Sequence, residues 1–537
     1  MKKRRISAFY IYIYLTLVFL TSSATADTHS HEHTAGMIKC GTPYIPALKN
    51  SALNSIATLS QRETGMESSA VSLPGHFRVH YDTTGHNAVS TLDEDSNNIP
   101  DYVDSTLVYL EYAWDLEIGE LKYPEPVRDG SKGGGDEIDV YLTNMGNIYG
   151  QTYPEKLVNG TKSAITFMEI ENDFTEGVFK SKGYEALKVT TAHEFFHVIQ
   201  FSMYYNNALI WWMEQTAVWM EDRSWDDVND YLAYLFLFFN ESYNQTPLNS
   251  NTGDFKYGAA VWPQYLAKKF GDDIILDIWN KLSEDSSSDI ASFDDVIPIG
   301  LEAAFGEFAV WNYFTGERGN TDFYSDSELF TTGITTDSSV QKSPAADTLS
   351  TKNMTSRYVE LLFSGEWDEF DTLNVTVNPL NGGKFKNTLI FFNGPYDYAV
   401  NDIFEGGRDI RLSKDWNKAV LVSSCVKTTP GTYRYDFNTR ILNVGIVDEQ
   451  YAFSLKGNYP NPFNSLTAIS FTLPNSGNVT IRAYDTLGRK AADIFDGTLD
   501  AGEKQILWKP SELSGGIYLV KMTSPWGTKV LKTMYLK

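Results

Sequence analysis

The sequence predicts a multidomain chain in which an α+β domain is followed by all-β sandwich domains. Three observations carry this reading. Residues from Phe77 to about Thr315 combine strand-like segments with helical ones, and from about 320 to 447 the composition turns strand-like and rich in Thr, Asn and Asp. From Leu455 onward, short apolar segments alternate with turn signals. A length of 537 residues suits three or four domains, and a hydrophobic content of 42% can furnish their cores.

The N-terminus reads as an export signal. Lys2-Lys3-Arg4-Arg5 is a positively charged start, Ile6 to Leu20 is apolar, and Ala24-Thr25-Ala26 is a small-x-small cleavage site. Residues 1–26 are therefore expected to be a signal peptide, its apolar core shorter than the roughly twenty residues a spanning helix needs. No other stretch reads as a transmembrane segment. Residues 27–75, rich in Ser, Thr, Ala and Gly, read as a propeptide or flexible lead-in. His29, His31 and His33 lie there, in a tract too short and mobile to read as a metal site.

The segment from Asp93 to Asp104 has the pattern of a calcium loop. Oxygen donors at Asp93, Asp95, Asn97, Asp101 and Asp104, with the carbonyl of Ile99, match the ligand spacing. Asn98 stands where glycine is usual and tolerates the same left-handed turn. A solvated acidic turn capping a helix from Val103 to Leu116 is the alternative. Gly130-Ser131-Lys132-Gly133-Gly134-Gly135 is a loop before a strand from Ile138 to Leu142, and it lacks the ending of a phosphate-binding loop.

The chemistry concentrates at His193-Glu194-Phe195-Phe196-His197. Residues four apart on a helix share a face, so both imidazoles can reach one ion. The helix, from about Tyr184 to Met203, has no Gly or Pro inside it and is apolar nearly all round, which predicts burial. Glu214 lies on a second predicted helix, Ile210 to Asp222, with sixteen residues between it and His197. A carboxylate amid Trp211-Trp212-Met213 needs a compensating partner, and a divalent cation is the strongest available. His193, His197 and Glu214 thus make a three-ligand zinc set with one open position, and Glu194, beside the metal, is the candidate general base. Either Glu221 or Asp222 can orient a ligand histidine. The competing reading is of core histidines and a paired glutamate.

These residues resemble the gluzincin metallopeptidases, in which a helix bearing His-Glu-x-x-His precedes a second helix bearing the glutamate ligand. More narrowly, residues 76–320 resemble a family of secreted bacterial proteins read as metallopeptidases, through Asp139-Val140-Tyr141-Leu142, Thr191-Ala192-His193-Glu194, Trp212-Met213-Glu214, Trp219-Met220-Glu221-Asp222 and the run Glu307 to Gly316. The resemblance implies a gluzincin-like domain with zinc on His193, His197 and Glu214, and Glu194 as base. It also implies an oxyanion stabiliser, for which Tyr257, in a run of small residues, is the candidate; a core tyrosine is the alternative. The sheet edge lining the cleft would come from around Ser163 to Met168. The expected function is a secreted zinc-dependent endopeptidase acting on protein or peptide substrates. The alternative is a cell-surface adhesin or carbohydrate-binding protein on the same scaffold.

Two cysteines are too few for a disulfide framework. Cys40 can bridge Cys425, stay unpaired, or place its thiolate in the open zinc position. Lys39-Cys40-Gly41-Thr42-Pro43 resembles the cysteine-switch segment of matrix metallopeptidase propeptides.

Residues 321–447 are expected to form a β-sandwich, with strands near Arg357–Phe363, Thr372–Val377, Asn387–Phe392, Lys418–Ser423 and Gly431–Asp436. Residues 453–537 are expected to form a second one. There Tyr459-Pro460-Asn461-Pro462-Phe463-Asn464, Tyr484-Asp485-Thr486-Leu487-Gly488, Gly515-Gly516-Ile517-Tyr518 and Lys532 to Lys537 resemble the C-terminal sorting domain of type IX secretion cargo. That implies the type IX machinery as partner and a secreted or surface location. A net charge of −25 argues against nucleic acid or anionic membrane as a partner.

Overall fold

The computed structural model describes residues 38–45, 62, 65–175, 177–240, 245–284, 289–342, 345–362, 371–393, 397–403, 407–413, 416, 418–442, 453–510 and 513–537. Residues 1–26, expected to be a signal peptide, and His29, His31 and His33 lie outside the described residues. The chain divides into two compact units, residues 1–304 with 311–334, and residues 305–310 with 335–537.

The first unit is built on a five-stranded mixed sheet of β1 (Ser68–Val71), β2 (Phe77–Tyr81), β3 (Ile138–Thr143), β4 (Gly150–Leu157) and β5 (Ala164–Glu171). Their order is β1-β2-β3-β5-β4. The crossover from β2 to parallel β3 runs through α1 (Asp101–Trp114), because parallel neighbours require a long connection. β3 pairs in parallel with β5, and β4 returns antiparallel to β5 as an edge. The segment expected at the edge, Ser163 to Met168, lies largely in β5, which is internal. Its apolar residues Phe167, Met168 and Ile170 are fully buried, as an internal strand requires. β1 falls within the stretch read as lead-in and pairs with β2 across Ser68–Tyr81.

Behind the sheet lies α2 (Gly183–Met203), in which residues from Ala186 to Phe201 are buried except Lys188. This all-round burial follows from its composition: it packs on β4 and β5, on α1, and on α3 (Ile210–Ser224). Phe195 locks it from the sheet side, with its ring edge-on to Phe77 at 5.0 Å and stacked near Trp114 at 5.7 Å. Further helices include α4 (Val261–Phe270) and α5 (Asp273–Glu284).

The second unit holds two pairs of antiparallel-rich sheets. A five-stranded sheet spanning β6 (Asp337–Lys342), β8 (Thr355–Leu362), β10 (Phe385–Phe392), β11 (Tyr398–Ile403) and β13 (Lys418–Cys425) shares a core with a four-stranded one. The latter contains β7 (Ala345–Lys352), β9 (Thr372–Leu380), β12 (Arg408–Arg411) and β14 (Thr432–Leu442). From β15 (Ser454–Tyr459) to β21 (Gly527–Tyr535), three-stranded and four-stranded sheets enclose a separate core around Phe471, Ile481 and Val520. The chain is thus a multidomain protein, an α/β region followed by several all-β sheets.

Candidate metal centre

α2 presents His193 and His197 on one face, with ring centroids 4.7 Å apart, and α3 brings Glu214 against both. Glu214 Oε2 lies 3.4 Å from His193 Nε2, and Glu214 Oε1 lies 3.3 Å from His197 Nε2. A fourth donor joins them from the N-terminal segment, as Cys40 Sγ is 3.4 Å from His197 Nε2. All four side chains are buried, with donor atoms within 4.8 Å of one another.

The outward nitrogens of the histidines are fixed by specific acceptors. His193 Nδ1 is 2.6 Å from Glu221 Oε1, and His197 Nδ1 is 2.7 Å from Gln200 Oε1. Gln200 is itself oriented, because its amide donates to the Met213 carbonyl and the Thr216 hydroxyl at 3.1 and 3.0 Å. Both Nε2 atoms are thereby aimed inward, as in histidine metal ligands. Sequence reasoning left Glu221 and Asp222 open; Glu221 takes the role. Asp222 instead lines a cavity of about 240 Å³ with Trp219, Tyr231, Gln264 and Asp326. Gln200 was missed altogether, although its i+3 spacing from His197 puts it on the same helix face.

Two atoms facing the centre of the cluster, His193 Nε2 and Glu214 Oε2, are buried without a hydrogen bond of good geometry, as is Glu194 Oε1 on the β4 side. Such groups cost free energy unless something else compensates them. Burial opposes protonation of His193, yet the neighbouring carboxylates of Glu214 and Glu221 raise its pKa to about 10. Burial pushes the Glu214 carboxyl up, but His197 and His193 outweigh it and hold the group well below the usual carboxylate range. The pocket therefore favours positive charge. Two imidazoles, a carboxylate and a sulfur are donors that borderline-soft ions take more readily than hard ions such as calcium or magnesium.

Glu194 projects beside this cluster toward β4. Its Oε2 lies 2.6 Å from the Thr152 hydroxyl. The close approach depends on Gly150, where a Cβ atom would stand 2.8 Å from both Glu194 Cγ and Thr190 Cγ2.

The segment from Ile38 to Thr42 extends the sheet beyond β4. Ile38 forms a parallel bridge with Ile148, Gly41 N donates to the Gly150 carbonyl at 2.8 Å, and Thr152 N donates to Thr42 Oγ1 at 2.8 Å. Tyr257 is fully buried beside it and donates to the Cys40 carbonyl at 3.2 Å. Burial and the nearby Glu194 and Glu214 raise the Cys40 thiol pKa. No disulfide joins Cys40 to Cys425; both thiols are free and buried.

In the acidic loop, the carboxylates of Asp93, Asp95 and Asp101 gather within 4.8 Å of one another. Asn98 is left-handed at φ 68°, as the glycine position requires. Asp104 is turned to the Asn97 amide at 2.8 Å, and Asn97 Oδ1 accepts from Ile99 N at 2.7 Å. Asp104 is not one of the three clustered carboxylates, while the Asn97 backbone N–H donates to Asp93 and Asp95 at 3.1 and 3.0 Å.

Residues 39–298 match a family described as a family of unknown function (DUF6055). Residues 458–535 match the secretion system C-terminal sorting domain. No curated protein matches the chain. Among solved structures, the chain is similar to the glycoside hydrolase domain of Endo-D from Streptococcus pneumoniae R6, at 12% identity and a TM-score of 0.15, over 35% of this chain and 33% of that one. It is also similar to a GH2 beta-galacturonidase from Eisenbergiella tayi, at 11% identity and a TM-score of 0.14, over 35% of each chain. A third is beta-glucuronidase 3 from Bacteroides uniformis, at 8% identity and a TM-score of 0.12, over 33% of this chain and 26% of that one. The chain spans about a third of the length of the first two.

These findings correct the expectation of a secreted zinc-dependent endopeptidase of gluzincin fold. The family model over the metal cluster is of unknown function and brings no peptidase activity to the chain. The physical reason for the error is that His-Glu-x-x-His spacing reports which side chains share a helix face, and says nothing of the bond to be cleaved. Among the described residues, no helix is long and apolar enough to cross a membrane. The chain carries a type IX sorting domain and is secreted or held at the cell surface.

Proposed function

We propose that the protein is a secreted metal-dependent hydrolase whose centre is formed by His193, His197 and Glu214 with Glu194 alongside. One observation carries the reading: His193, His197, Glu214 and Cys40 bring buried donor atoms within 4.8 Å of one another, and His193 Nε2 and Glu214 Oε2 among them make no hydrogen bond of good geometry. Zinc fits this donor set, and when bound it supplies Lewis acidity. Glu194 accepts a proton from the attacking water and delivers it to the leaving group, with Thr152 holding its other oxygen in place. Tyr257 is positioned to donate to developing negative charge once its present acceptor, the Cys40 carbonyl, moves away.

A second reading is a cell-surface carbohydrate-binding protein in which the metal is structural. It is favoured by the closed set of four buried donors, since structural zinc sites keep no open position. Calcium at Asp93, Asp95 and Asp101 belongs to either reading as a stabiliser of the loop before α1.

Zinc content and hydrolysis of chromogenic ester and glycoside substrates, measured on the parent and on Glu194→Gln, test the proposal. Both proteins should hold one zinc per chain, and chelator-sensitive hydrolysis should appear when the Cys40 thiol is removed from the parent and not when it is removed from Glu194→Gln. Stoichiometric zinc with no hydrolysis by a form lacking the Cys40 thiol would favour the binding protein. A parent that takes up no zinc would overturn both.

A further inference from the structure

We propose that Cys40 is the fourth ligand of the metal centre and that Lys39 is the latch holding it there, making Ile38–Ile45 a built-in plug. The inference rests on the metal reading above and adds its regulation. Cys40 is wholly buried, and its sulfur lies 3.4 Å from His197 Nε2, on the inward side of the cluster. The unsatisfied His193 Nε2 and Glu214 Oε2 face the same space, so the thiol sits among atoms that already call for a cation.

Lys39 explains why the segment stays. Its side chain is 2% exposed, and its ammonium lies 2.8 Å from Glu221 Oε2 and pairs with Asp230. Glu221 is the acceptor that orients His193, so the latch is wired directly to a ligand. Asp230 is held in turn by the Ser181 backbone N–H and hydroxyl at 3.0 and 2.6 Å and by the Tyr149 hydroxyl at 3.2 Å. A buried ammonium between two buried carboxylates is worth keeping, since removing it strands both charges.

The rest of the segment occupies what a substrate would need. It covers the start of the β4 edge through Gly41 and Thr42, and its Cys40 carbonyl takes the Tyr257 hydroxyl. Withdrawal of Ile38–Ile45 would free a metal coordination position, the Tyr257 donor and the strand edge together. No bond need be made or broken within the site beyond metal–sulfur dissociation, with water taking the vacated position.

The test loads the full chain with Co(II) alone and reads the near-ultraviolet sulfur-to-cobalt charge-transfer band, with zinc-edge X-ray absorption as a second measure. The parent should show the band and a Zn–S distance of about 2.3 Å. Cys40→Ser should lose both while still binding one Co(II). Lys39→Met should make Cys40 in the loaded protein react with iodoacetamide at least roughly tenfold faster than in the parent, and Lys39→Arg should restore protection. Stoichiometric Co(II) in the parent without a sulfur band would overturn the proposal and leave the metal reading intact. Failure of both parent and Cys40→Ser to bind Co(II) would overturn the metal reading and the plug with it. A folded Lys39→Met protein whose Cys40 stays as protected as the parent's would remove Lys39 as the latch.

Discussion

The exchange Glu221→Gln separates the two carboxylates that the sequence left indistinguishable. Glu221 Oε1 is 2.6 Å from His193 Nδ1, and its Oε2 pairs with Lys39 at 2.8 Å. Glutamine preserves size and an acceptor oxygen but loses the charge that raises the basicity of His193 and answers the ammonium. Loss of such an outer partner typically weakens metal binding 10- to 100-fold. That corresponds to roughly 1.4 to 2.8 kcal/mol at 25 °C. The weaker ion pair of Lys39, which retains Asp230, adds a cost to folding that binding measurements need not share. Competition for zinc against a chromophoric chelator measures the affinity directly, and circular dichroism checks the fold. Asp222→Asn is the control, because Asp222 faces the cavity beside Tyr231 and Asp326 and touches neither histidine ligand. An unchanged affinity in Glu221→Gln, or an equal loss in Asp222→Asn, would refute the assignment.

Asp222→Asn makes its own prediction. Burial, then Asp326 and Asp226, raise the Asp222 carboxyl from its ordinary 3.8 to about 7. The folded state therefore loses stability as pH rises from about 4 to 7. The asparagine variant should melt higher than the parent at pH 8 and no higher at pH 4, with about 4 kcal/mol as the ceiling at one pKa unit per 1.36 kcal/mol; equal gains at both pH values would contradict this. Gln200→Ala should cost about tenfold in zinc affinity by releasing His197, read by the same chelator competition. Gly150→Ala should leave zinc content intact but displace Glu194 or β4, lowering the melting temperature by the equivalent of about 1–3 kcal/mol and suppressing hydrolysis; an unchanged melting curve would count against the contact. Calcium should raise the melting temperature of the parent, and Asp93→Asn with Asp95→Asn should abolish that shift if the loop binds the ion.

The parts of this molecule that were legible in the sequence are those fixed by local periodicity. The four-residue interval between His193 and His197 puts two imidazoles on one helical face wherever the helix lies, and α3 runs Ile210–Ser224 against an expected Ile210 to Asp222. Strands with apolar runs or alternation were located to within a few residues, as at Lys418–Cys425 and Thr372–Leu380. Polar strands escaped: Tyr398–Ile403, Arg408–Arg411 and Lys490–Leu499 owe their pairing to neighbours rather than to their own pattern. The sheet edge was misplaced for a related reason. Strand order is a long-range property, and nothing local to Gly150–Leu157 says that β5 is its one neighbouring strand among the described residues.

The same limit explains why Lys39 attracted no notice beside Cys40. A lysine in a Ser- and Thr-rich lead-in reads as solvated, because burying its ammonium alone is prohibitive. It becomes tolerable only where folding has already brought Glu221 from α3 and Asp230 from the following turn to one point, 182 and 191 residues further along the chain. Those carboxylates face the converse problem, since with Lys39 gone each loses its cationic partner in the interior. The plug and the metal centre are therefore coupled through Glu221, which serves both. Any event that extracts Lys39 must also perturb the basicity of His193, so release of the thiol and retuning of the metal are expected to occur in one step.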